Sequence, residues 1–163
     1  MSAQTTYRWD TVMGAAGGIV DLAPYAIDTF ANEENDGVMQ FGVAVVAGTN
    51  ADQCKVVTSS STATDFLGVS VNNRTTELGI TGDLSIANKA SVGVMRWGRI
   101  YVKVASGLTI TPGEAAYVII SGDDIGKFTN SSSSTLAVKA RFLSAVDGAA
   151  DIAQVELFNQ AQA

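Results

Sequence analysis

Residues 89–104, KASVGVMRWGRIYVKV, alternate in side-chain character with a period of two over a longer run than any other part of the chain. Val92, Val94, Ile100, Val102 and Val104 share one parity, while Ser91, Met95, Trp97, Arg99, Tyr101 and Lys103 share the other. A strand points successive side chains to opposite faces, so the first set reads as a core face and the second as an amphipathic outer face. This stretch is the expected central strand of a β domain. It is long for one strand, and Gly98 in its middle is the expected site of a bulge or barrel corner. Arg96 breaks the apolar parity just before that point, and a register shift of one residue there would return it to solvent.

The outer parity interleaves Trp97 and Tyr101 with Arg99 and Lys103. Trp, Tyr and Arg are enriched at the buried centres of protein interfaces, which makes this face a candidate contact surface. Packing against a second sheet, or against a folded-back arm of the same chain, would account for the same aromatics.

Composition sets the class. At 163 residues the chain has the length of one domain with a substantial core. Sixteen glycines, two prolines and 16% charged residues, among many Val, Thr and Ser, favour short strands and turns over helices. The fold class expected is all-β: a small β-barrel or sandwich of about 8–10 short antiparallel strands, with turn signals roughly every 8–12 residues and an N-terminal extended arm. The division expected is an arm with loops over residues 1–37 and a single β domain over 38–163.

A net charge of −6 with only ten Lys and Arg argues against a nucleic-acid partner or an anionic membrane. Histidine is absent and Cys54 is the single cysteine, which removes Ser-His-Asp and Cys-His catalysis, the usual zinc sites and internal disulfides. Cys54 reads as a small buried hydrophobe. The N-terminus lacks the charged start and apolar run of a signal peptide, so the protein is expected to be made and kept in the cytoplasm, or incorporated into something assembled there. No apolar run approaches the ~18 residues of a membrane span.

Along the chain, Gly14, Gly17 and Gly18 punctuate an aperiodic leader that carries Tyr7, Arg8 and Trp9. The run GAAGG at 14–18 lacks the Lys-Ser/Thr of a phosphate loop. Aromatic and basic residues on such a leader suit an arm that docks on something. Residues 38–57 read as a hairpin, 66–71 as a strand, and the last segment as two strands around the turn Asp147-Gly148, with Ala153, Val155 and Leu157 alternating against Gln154, Glu156 and Phe158. Asp123 and Asp124 are too few oxygens for a calcium loop, and the remaining acids lie mainly in turns. Neither an enzyme, a metal site nor a cofactor is expected.

The strings AxVGVMRWGRIYVKV, GEAAYVI, GKFT and AxKARFLSAVDGAADIAQVEL, within residues 38–158, resemble the structural cement or decoration proteins of tailed-phage heads. The resemblance implies a small β-barrel or sandwich on the outer surface of the capsid, trimeric at threefold and quasi-threefold positions, clamping major capsid subunits against the pressure of packaged DNA. The partners implied are the major capsid protein and the chain itself as a homotrimer. A cement of this kind uses interfaces in place of a pocket, and its contact residues are expected at Arg96, Trp97, Arg99 and Tyr101 for one surface and Tyr7, Arg8 and Trp9 for the other. A sugar-binding or adhesin module on a tail or head fibre, or a bacterial scaffold protein with no virion role, are the alternatives; aromatics lining a concave pocket would favour the adhesin.

Overall fold

A computed structural model of the chain describes residues 14–72 and 85–159. Eleven strands lie among them: β1 (Ala26–Asn32), β2 (Ala44–Ala47), β3 (Gln53–Val56), β4 (Phe66–Val71), β5 (Ser91–Lys103), β6 (Thr109–Ile110), β7 (Ala115–Ile119), β8 (Phe128–Thr129), β9 (Thr135–Phe142), β10 (Val146–Asp147) and β11 (Ile152–Leu157). The described residues contain no helix. The hairpin expected over residues 38–57 is β2 and β3, and the pair around Asp147-Gly148 is β9 and β11, with β10 in the connection pairing with β6.

The pairings close on themselves. β1 pairs in parallel with β3, β3 with β2, β2 with β4, β4 with β5, and β5 returns to β1, which makes a small five-stranded barrel. The sheet then continues from β5 through β11, β9 and β7 to β8. A parallel bridge between Val104 and Phe128 brings this second set back to the end of β5. The 13 residues of β5 therefore serve both halves: residues 91–97 pair within the barrel, and residues 98–103 pair with β11. Closure removes the open edges that an antiparallel sheet would otherwise present.

The alternation that singles out β5 is reproduced in burial. Val92, Val94, Ile100, Val102 and Val104 all lie in one core with Phe41, Phe66, Phe128, Phe142 and Leu157. Met95, of the opposite parity, is fully buried as well. It sits beside the irregularity in the strand, where alternation fails: Trp97 pairs with Ala26 and Met95 with Ile27, so Arg96 is the extra residue. The bulge thus falls on Arg96 itself, two residues before Gly98. Gly98 follows with φ of 127°, a conformation that side-chain-bearing residues rarely adopt, and a Cβ there would lie 2.6 Å from Cβ of Tyr25.

The stretch expected as arm and loops, residues 1–37, contains β1. AIDTFAN has no clean alternation because most of its residues are only half-buried, Ile27 and Phe30 packing against the core from one side. Pairing recruits it: six residues of β1 align with β5, and Ala31 and Asn32 with β3. The buried Asn32 fixes the end of this strand. Its amide donates to the carbonyls of Ile86 at 2.9 Å and Ala87 at 3.0 Å, and its side-chain oxygen accepts from the Glu34 N–H at 2.9 Å.

Candidate functional site

Strand register sets the chemistry of the outer face of β5. Glu156 on β11 lies opposite Arg99 on β5 and opposite Arg141 on β9, so three charged residues stand in a row across three strands. Two nitrogens of Arg141 approach the same Glu156 oxygen, Nη2 at 2.6 Å and Nε at 2.8 Å. Arg99 donates from Nε to the other Glu156 oxygen at 3.3 Å and from Nη1 to Asp21 at 2.8 Å. The hydrogen bond from Arg141, reinforced by Arg99, holds the Glu156 carboxyl below its ordinary range. Asp21 is lowered by Arg99 and by the Ala23 N–H, and both carboxylates in turn raise Arg99. Two acids and two bases compensate one another, leaving this part of an acidic protein locally neutral.

Beside the row lies a cavity of about 300 Å³ lined mostly by apolar atoms, among them those of Ala23, Pro24, Trp97, Leu157 and Phe158. It forms where β5 bends at Gly98 and the loop of residues 21–25 passes over it. Trp97 is 36% exposed and Phe158 44%, and Tyr25 and Leu22 add further exposed apolar surface from the loop. Phe158 also lies under the Arg141 guanidinium, 5.5 Å from its ring centre. An exposed apolar concavity with a polar rim is a form that recognition surfaces take, for proteins and for smaller ligands alike.

Of the residues expected at contact surfaces, Trp97 and Arg99 lie at this cavity. Arg96 is beside them in sequence but turns to Asp28, at 3.4 Å, and its Nε finds no hydrogen-bond partner among the described residues. Tyr101 is in a different situation: it is buried, with only 7% of its surface exposed. The GAAGG run covers it. A Cβ on Gly14 would lie 2.5 Å from a ring carbon of Tyr101, the N–H of Gly17 donates to the Tyr101 carbonyl at 2.7 Å, and the Tyr101 N–H donates to the Gly18 carbonyl at 2.9 Å. Tyr101 is thus covered by a folded-back segment of its own chain, and in the protomer it does not line an open contact surface. Tyr7, Arg8 and Trp9 lie outside the described residues.

Phe158, Glu156, Arg141 and Asp21 belong to the site without having been singled out as contact residues. For Phe158 a signal existed, since it continues the outer parity of the final strand after Gln154 and Glu156. No signal of that kind marks Asp21 or Arg141, which join only through loop path and register. The described residues hold no cluster of three or more His, Cys, Asp or Glu suited to a metal ion.

Comparison with known proteins relates the chain to others both by fold and by sequence family. A chain from the capsid of Myoviridae phage XM1 has the same fold, with a TM-score of 0.71 at 21% sequence identity over 96% of this chain and 98% of that one. No curated protein sequence matches. Residues 3–158 match the family described as structural cement protein (E217 gp24/Pam3 gp6).

Proposed function

This chain belongs to the phage structural cement protein family, and from that premise we propose that it is a capsid decoration protein that binds the outer surface of a phage head and holds neighbouring major capsid subunits together. The family match over nearly the whole chain carries the proposal. Its sites are the threefold and quasi-threefold positions of the shell, which it occupies as a homotrimer. Three linked contacts raise the effective concentration of each one after the first has formed, so the trimer resists an outward load better than a single protomer. An acidic body is repelled by packaged DNA, which favours the outer side of the shell and a role without nucleic-acid or membrane partners.

The family is a structural one rather than an enzyme family. The adhesin alternative is not favoured. Although Trp97 and Phe158 do flank a concavity, Arg99 and Glu156 are engaged with each other and with Asp21 and Arg141, so these polar groups are not available to select sugar hydroxyls.

The test is co-sedimentation of purified protein with shells that lack it. Saturable binding that raises the temperature or force at which shells break is expected. Absence of binding to any such shell overturns the proposal.

A further inference from the structure

Leu22 is 96% exposed, well beyond any other large apolar side chain among the described residues, and the next, Val38 at 51%, lies elsewhere on the surface. A lone surface leucine says little by itself. This one is held in place. On one side of it Asp21 bonds Arg99 at 2.8 Å and accepts from the Ala23 N–H at 3.0 Å, and on the other Pro24 restricts the chain and Tyr25 packs against Gly98. The loop therefore presents Leu22 as a fixed knob, with little freedom left to lose on contact.

Val38 belongs to a hole. With Val43, Val56 and Ile125 it lines a cavity of about 150 Å³ near the far end of β5, where the Lys103 N–H donates to the Gly42 carbonyl at 2.8 Å. An apolar cavity of roughly that volume accommodates benzene, so the smaller side chain of a leucine fits. Leu22 cannot fill the cavity of its own protomer. Its loop is tied to Arg99, about 13 Å of strand away from Lys103 at ~3.3 Å per residue, and residues 14–18 lie between, over Tyr101.

Charge favours a second copy of the chain as the source of the knob. The flank of Leu22 is the compensated row of Asp21, Arg99, Glu156 and Arg141, in which Arg99 donates from Nε and Nη1 and keeps Nη2 unengaged among the described residues. At the rim of the hole Lys127 is paired with Asp124 at 2.6 Å, while Asp123 has no ion pair among the described residues. A spare guanidinium nitrogen beside the knob thus matches a spare carboxylate beside the hole. The neutral flank also lets two proteins of charge −6 meet there without the repulsion that acidic surfaces would impose.

We propose that Leu22 of one copy of this chain seats in the Val38–Ile125 cavity of a second copy, with Arg99 facing Asp123. Knob and hole are different surfaces, so the contact is head to tail, and a threefold rotation closes it into a ring. This assignment rests on the self-association within the cement reading and supplies its contact.

A photo-crosslinking amino acid in place of Leu22 in the full-length chain tests it, using an equal mixture of isotopically light and heavy protein, both free and bound to shells. Cross-links between a light and a heavy chain, ending on residues 38–43 or 123–127, are expected. Val38→Asp in the partner should lower their yield about tenfold or more, and Asp123→Arg should lower it as well. Both positions lie at the surface, so the melting temperature of either variant should stay nearly unaltered. Cross-links confined to one chain, ending on capsid protein, ending elsewhere, or insensitive to Val38→Asp overturn the assignment, as does their absence. Shell binding without the expected cross-link would remove the head-to-tail contact and leave the cement role standing. The cross-link without shell binding would do the reverse.

Discussion

Gly14 and Tyr101 are in contact so close that a Cβ on the glycine would stand 2.5, 2.7 and 2.9 Å from three carbons of the tyrosine ring. The contact seals the outer face of β5 with the leading end of the described chain. Gly14→Val should force the ring or the covering segment aside, at about 1–3 kcal/mol of stability, the usual cost of overpacking. Chemical denaturation reads this directly. An unchanged midpoint would mean that residues 14–18 lie only loosely on Tyr101.

Gly98 makes the bend between the two halves of β5. An alanine there would hold an unfavourable φ of 127° and press its Cβ to 2.6 Å from that of Tyr25. Gly98→Ala should therefore destabilise by roughly 2 kcal/mol or more and disturb the neighbouring cavity. A thermal shift of less than one or two degrees would contradict this.

Glu156 links two arginines. Its carboxyl titrates below its ordinary value of 4.5 in the folded protein, so its contribution is present above that pH and is lost as pH falls through the lower, folded value. Glu156→Gln should cost about 1 kcal/mol at neutral pH, in line with partly exposed ion pairs. The difference from the parent should shrink steadily below pH 4.5. Denaturation of both proteins across pH 2–7 measures it, and a difference that persists undiminished in acid would show that shape, not charge, is what the substitution removes.

Trp97 is 36% exposed, so its loss should fall more on association than on folding. Trp97→Ala should weaken capsid binding or self-association by about 2 kcal/mol, the size expected of an interface anchor. Binding isotherms on shells and light scattering of the free protein give the two affinities. Normal association with a lowered melting temperature would make Trp97 a packing residue.

Cys54 is fully buried, and desolvation, helped by the nearby carboxylates of Glu33 and Glu34, pushes its thiol up to about 12. Since the thiolate is the reactive form, the native protein should resist a thiol reagent at pH 8 and react completely on unfolding. Rapid labelling of the native state would show that β3 opens locally.

The sequence carried the core more plainly than the surface. Val92, Val94, Ile100, Val102 and Val104 could be assigned because burial imposes a strict period of two on a strand, and the same holds for Ala153, Val155 and Leu157. β1 carries no such pattern because half-burial does not enforce that period. Tyr101 showed its size and polarity but not what covers it, since a cover made of glycine, alanine and backbone leaves no distinctive pattern. The row of Arg99, Glu156 and Arg141 depends on register across three strands that are far apart in sequence, and no local spacing encodes that.

The sharing of β5 between the barrel and the second set of strands has a mechanical consequence. A pull exerted on either half passes to the other through a continuous covalent strand, with no hinge of side chains in between to yield first. The two halves should therefore fail together, in one transition at one load. Such all-or-none yielding suits the clamping role proposed for this protein.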